Sequence, residues 1–234
     1  CCRIREIRTM PILEVCTGSL QSVINAVTGG AKRIELCSAL SLDGLTPSLG
    51  LIKIVRKMFP ELTIHTLIRP REGDFCYNEE EIKVMEADIK EILPYTDAIV
   101  CGALTIEHDI DIATTYRLIN ACEGKPFTFH RAFDVCREPL RAIDELAELN
   151  CTRILTSGQA RSAEEGISAL KEYVEYTKGR LTILPGGGIT PQNAKKILIA
   201  TGTNEIHGSA SGMTEYNRKE TLVETVAQII QEIE

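Results

Sequence analysis

The sequence of 234 residues predicts a single-domain α/β protein of the (βα)8, TIM-barrel type. Three observations predict it. Short β-favouring runs alternate with amphipathic helical patterns about eight times along the chain, with no linker or low-complexity segment between them. The length suits eight such units. Polar and charged residues gather at the carboxyl ends of the runs, where a barrel of parallel strands carries its functional face. A doubly wound open sheet is the alternative, but its GxGxxG turn is missing after the first run, where Gly18 stands alone.

The strand-like runs are ILEVC (12–16), RIELC (33–37), LTIHTLI (62–68), DAIVC (97–101), PFTFH (126–130), TRILT (152–156), RLTILP (180–185) and NEIHGS (204–209). Helical patterns fall near 19–29, 48–59, 79–93, 109–122, 138–149, 161–177, 190–200 and 219–233. Ser48 is a capping residue for the second helix. Asn78 precedes three glutamates, which the positive end of a helix dipole favours. Pro191 after Thr190 suits a first helical position. Gly29, Gly30 and Gly202 mark helix ends.

Composition narrows the function. The formal net charge of −7 argues against a nucleic-acid surface. No apolar run is long enough to span a bilayer, so no membrane partner is expected. The nine cysteines form an odd set without a CxxC pair, and the start lacks a secretory apolar core. Reduced thiols and a cytoplasmic location are the expectation. Met10 reads as a natural start and residues 1–9 as an N-terminal extension, leaving 10–234 as the barrel domain. A homodimer or higher homo-oligomer is compatible with the apolar outer helices.

Chemistry is sought at the strand ends. In FTFHRAFD (127–134), alternation puts Thr128 and His130 on one face and the two Phe rings on the other. The basic pair His130 and Arg131 and the acid Asp134 follow. The runs LEVC and IELC repeat a Glu-x-Cys pattern, so Glu14 with Cys16, and Glu35 with Cys37, share a strand face and converge if that face is the interior. Glu14, Glu35, His130 and Arg131 are the candidate catalytic set, for proton transfer or for holding a divalent metal with His65 and His207. Internal pairing of these acids with Arg69 and Arg131 is the plainer reading. Arg69, Arg71, Gly187, Gly188 and Ser209 are candidate anion-binding residues, since guanidinium groups and Gly-rich loops after the last two strands suit phosphate or carboxylate. No Lys sits at a strand end for a Schiff base, no GxSxG elbow is present, and no organic cofactor is predicted.

The motifs LEVC, GGAKRIELCSAL, GLTPSLG, IRPREGDFCY, FTFHRAFD, RILTSGQ, LPGGGIT and EIHGSA, in this order, resemble the CutC family of copper-homeostasis proteins. The resemblance runs from about Met10 to the end of the last strand. It implies a cytoplasmic TIM barrel that binds Cu(I) through cysteines near the mouth. In this chain those are Cys16 and Cys37. Some members carry further cysteines where Thr17 and Gly208 stand here. The resemblance puts copper handling first. An enzyme acting on a small phosphate- or carboxylate-bearing metabolite is the alternative.

Overall fold

The structure, a computed structural model, describes residues 10–234. The 1–9 extension lies outside the described residues. Eight parallel strands form the sheet: β1 (Ile12–Thr17), β2 (Arg33–Leu36), β3 (Thr63–Leu67), β4 (Ala98–Cys101), β5 (Phe127–Phe129), β6 (Arg153–Thr156), β7 (Thr182–Pro185) and β8 (Glu205–Gly208). Their order is β7-β6-β5-β4-β3-β2-β1-β8. A bridge between Gly186 and His207 brings β8 back to β7, and the ring is a nearly closed barrel.

Helices α1 (Leu20–Thr28), α2 (Leu49–Met58), α3 (Glu79–Ile92), α4 (Ile112–Ala121), α5 (Pro139–Glu148), α6 (Ile167–Thr177), α7 (Ala194–Thr201) and α8 (Val223–Ile233) alternate with the strands. Several expected caps are present. Ser48 accepts from the Leu51 N–H, and Asn78 and Glu81 form a reciprocal capping box. Gly202 ends α7 at φ 78°, a conformation that costs glycine little.

Three boundaries differ from the sequence reading. Residues 161–166 are turns, and α6 begins only at Ile167. Gly166 lies so close to the Ser157 carbonyl that a Cβ there would stand 1.9 Å from the oxygen. Pro191 sits in the turn before α7 and not at its first position, because Asn193 turns back to accept from the Thr190 N–H. Residues 219–221 are not helical. They form β10 (Lys219–Thr221), antiparallel to β9 (Ser211–Met213), and this hairpin leads into α8.

Alternation along the strands separates two cores. The main one, between sheet and helices, contains Val15, Ile34, Ile64, Ile99, Phe127, Phe129 and Ile154. Phe127, Phe129 and Phe133 are fully buried, and truncating such a ring costs about 3–5 kcal/mol. Inside the ring a small apolar set, Cys16, Cys37, Leu67 and Val100, stands apart. The remaining interior is charged, which is costly unless every group has a partner.

Candidate functional site

The deepest layer is an ion cluster. Glu205 accepts from Arg33 Nη2 at 2.7 Å and Arg153 Nε at 2.9 Å. Above it Glu14, fully buried, takes Arg33 Nε at 2.8 Å and His65 Nδ1 at 2.7 Å on one oxygen, and His207 Nδ1 at 2.9 Å on the other. The register dictates this meeting, since Glu14 on β1 lies level with Arg33 on β2 and His207 on β8. Burial alone would raise the Glu14 carboxyl, but His65, His207 and Arg33 outweigh it and hold it well below the usual carboxylate range. Burial pulls His207 down, yet Glu35, Cys16 and Glu14 lift it well above an ordinary imidazole. The ring is therefore charged at neutral pH.

One pleat higher are the thiols. Cys16 Sγ donates to Glu35 Oε2 at 3.1 Å and lies 3.8 Å from Cys37 Sγ, which faces the Thr17 carbonyl at 3.4 Å. Glu35 also lies 3.7 Å from His207 Nε2. Glu35 is raised, by burial first, against the pull of His207, with the like charge of Glu14 adding to the rise. Cys16 is raised well above an ordinary thiol by its contact with Cys37, by burial and by the Glu35 charge. Cys16 therefore rests protonated, with a carboxylate of elevated basicity in contact with its thiol.

These donors fit a metal. Cys16, Cys37 and Glu35 offer ligand atoms within 4.8 Å of one another, and so do Glu14, Glu35 and His207. Cys16 and Cys37, with sulfurs 3.8 Å apart, would hold the ion, and Glu35, 3.1 Å from Cys16 Sγ, would stand beside it. Two thiolates select soft ions, Cu(I) or Zn(II), over hard ones.

Over the thiols opens a cavity of about 520 Å³. Cys16, Glu35 and His207 are in its floor, and Arg69, Phe75 and His130 line one wall. Arg131, Gly187, Gly188, Ser209 and Lys219 line the mouth. Gly187 and Gly188 have φ of 98° and 74°, and the Arg131 guanidinium carbon lies 3.6 Å from where a Gly187 Cβ would stand. Arg131 also pairs with Asp134 at 2.7 Å and donates to Ser157 Oγ at 3.2 Å. His130 is buried in the wall. Its Nδ1 accepts from the Ala132 N–H, and burial, then the Arg69 charge, pushes it down to about 3. It is a neutral hydrogen-bond donor and not a base at neutral pH.

Glu14, Glu35, Cys16, Cys37, Arg69, His130, Arg131, Gly187, Gly188 and Ser209 thus surround one interior. Arg71 does not join them: outside the cavity, it is held by Glu81 at 2.5 Å and Asp74 at 3.0 Å. Sequence reasoning passed over Arg33, Arg153, Glu205, Phe75 and Lys219. Arg33 was within reach, because it shares the parity of Glu35 and Cys37. Lys219 depends on the hairpin.

Fold and site together define a (βα)8-barrel protein with two adjacent buried thiols beneath its cavity, set above a carboxylate–imidazole cluster. The chain belongs to the CutC family, whose model matches residues 11–212. The human "Copper homeostasis protein cutC homolog" is 44% identical over 209 residues, covering 89% of this chain and 76% of that protein. A CutC family protein of Glaesserella parasuis is 43% identical, covering 87% of this chain and 84% of its own length. The crystal structure described as the putative copper homeostasis protein CutC from Streptococcus agalactiae superposes with a TM-score of 0.82 at 36% identity, over 86% of this chain and 99% of that one. A thiamine phosphate pyrophosphorylase from Pyrococcus furiosus, at 17% identity and a TM-score of 0.63, shares the fold alone. Among the described residues no helix is long and apolar enough to cross a membrane.

Proposed function

We propose that this protein binds Cu(I) in the cell's copper homeostasis through Cys16 and Cys37, with Glu35 as proton acceptor. The observation that carries the reading is the 3.8 Å approach of two thiols from adjacent strands, one of them already donating to a carboxylate at 3.1 Å. The raised Cys16 keeps its own thiol from reacting as a free thiolate. Metal entry must expel that proton, and the raised Glu35 beside it is placed to receive it. Membership of a copper-homeostasis family and the softness of sulfur favour Cu(I) over harder ions. The test is a titration of reduced protein with Cu(I) against a competing chelator. Wild type should hold one ion, and Cys16→Ser with Cys37→Ser should lose it. Equal affinity in that double variant would remove the assignment.

A second reading makes the barrel an enzyme acting on a small phosphate- or carboxylate-bearing molecule. The cavity of about 520 Å³ favours it, because a bare ion leaves most of that space unused. Glu35, touching the cavity with a raised pKa, is the group suited to move a proton there. A divalent ion on Glu14, Glu35 and His207 would polarise a carbonyl. Turnover of small anionic metabolites by wild type, lost in Glu35→Gln, is its test.

A further inference from the structure

Among the described residues two arginines are buried, Arg33 and Arg69, and they are treated differently. Arg33 has two carboxylates, Glu14 and Glu205. Arg69 is 4% exposed, and among the described residues no carboxylate lies within 4.0 Å of it. Its Nη1 donates to the carbonyls of Leu42 and Gly44, and its Nη2 to that of Gly73. Carbonyl dipoles orient the guanidinium but leave a whole positive charge uncompensated in a site of low dielectric, which a fold tolerates poorly. Arg69 Nε makes no well-formed hydrogen bond, and neither does the buried Tyr77 hydroxyl beside the guanidinium.

Beside it is a second orphan. His130 is 5% exposed, and its Nε2 also lacks a partner. Since Nδ1 accepts from the Ala132 N–H at 3.2 Å, the ring proton must sit on Nε2. Phe75 holds both groups. Its ring lies 4.9 Å from the imidazole centroid and 5.0 Å from the Arg69 guanidinium carbon. Gly102 has to be glycine for the imidazole to fit, because a Cβ there would stand 2.7 Å from Nδ1. Arg69, Phe75 and His130 all line the large cavity.

None of the acids lining that cavity forms an ion pair with Arg69 within 4.0 Å, including Asp43, which stands between Leu42 and Gly44. Glu35 accepts from Cys16 at 3.1 Å, and Asp134 is bound to Arg131 at 2.7 Å and to Thr156 Oγ1 at 2.5 Å. Asp43 is exposed at the rim. The positive charge of Arg69 thus has no internal carboxylate within 4.0 Å, and Arg69 Nε and His130 Nε2 make no well-formed hydrogen bond.

We propose that this wall is a binding site for an oxyanion, the carboxylate or phosphate group of a small metabolite, held by Arg69 Nε–H and His130 Nε2–H. The anion supplies the missing counter-charge and both missing acceptors. The neutral imidazole donates without a proton transfer, and the guanidinium supplies the charge. Arg131 and Lys219 at the mouth give a second positive locus, so a molecule with two anionic ends, small enough for about 520 Å³, suits the cavity best. The inference deepens the second reading above and is independent of copper.

The experiment uses copper-free, reduced full-length protein with inorganic phosphate and malonate as probes, and chloride at equal ionic strength as control. Binding is read by calorimetry and by the 15N signal of the His130 Nε2–H. One saturable site is expected, with a shift of that signal for at least one probe. Arg69→Met should weaken binding at least about tenfold, as removal of a charged donor implies. His130→Phe should weaken it about threefold to tenfold, as removal of a neutral donor implies. Arg71→Ala should bind as wild type. If Arg69→Met fails to fold, His130→Phe and the wild-type nitrogen signal decide. No binding above chloride, or full binding in both wall variants, overturns the proposal. Binding without turnover of any anionic metabolite leaves it standing and removes the enzymatic reading.

Discussion

The two sides of the barrel interior hold histidines in opposite states. On the β1–β2–β8 side, His207 lies between Glu14 and Glu35 and is held charged. On the β5 side, His130 lies beside Arg69 and is held neutral. Both are buried at strand ends, and both read alike in the sequence. The difference comes from neighbours brought by other strands, and it divides the cavity into a carboxylate–thiol side suited to a metal cation and a cationic side suited to an anion.

Removing the anchor of the first side should have the largest effect. Glu14→Gln leaves Arg33, His65 and His207 without their shared carboxylate. Breaking a buried ion network in this way costs about 3–5 kcal/mol. Urea unfolding at neutral pH should show that loss. A change below about 1 kcal/mol would mean that the cations find other partners.

The second effect separates the histidines by pH. His130 has a folded pKa of about 3, below its ordinary 6.5. The stability gained by keeping it neutral is present above about 6.5 and is lost as pH falls toward 3. His207 is raised, so its contribution is present below about 6.5 and is lost as pH climbs through the raised value. Glu14 is depressed and loses its contribution only below the ordinary carboxyl range, near 4.5. Stability measured against pH should therefore start falling near 6.5 on the acid side, and His130→Asn should flatten that first slope. An unchanged slope in His130→Asn would contradict the neutral assignment.

The smallest effect belongs to Arg71. It is partly exposed, ion-paired with Glu81 and Asp74, and also donates to the carbonyls of Glu72, Asp74 and Cys76 in its own loop. Arg71→Ala should cost less than about 1 kcal/mol and leave ligand binding untouched. A larger loss of binding would mean that its loop shapes the wall.

Much of this layout was legible in the chain. The period of two in LEVC, RIELC and FTFHR put Glu14, Cys16, Glu35, Cys37, Thr128 and His130 on interior faces, and eight such runs were enough for the barrel. Arg33 shares that parity, but it stands at the amino end of its run, away from the carboxyl ends where chemistry is sought. Arg69 and Arg71 were indistinguishable in IRPREGDF. Only the fold shows that Arg69 enters the wall under Phe75, while the capping-box Glu81 of α3 draws Arg71 away. The β9–β10 hairpin was hidden because its strands are three residues each and polar, too short for a periodic signal. Charge states were invisible, since they depend on neighbours brought by other strands, as His207 is brought to Glu14 from 193 residues away.

The most direct measurement is X-ray absorption at the copper edge of the Cu(I)-loaded protein, with Glu35→Gln alongside wild type. The account predicts two sulfur neighbours in both, with Glu35→Gln differing at most in an additional light-atom neighbour. A first shell of nitrogen and oxygen without sulfur would place the ion on the carboxylate–imidazole floor and contradict the thiol assignment.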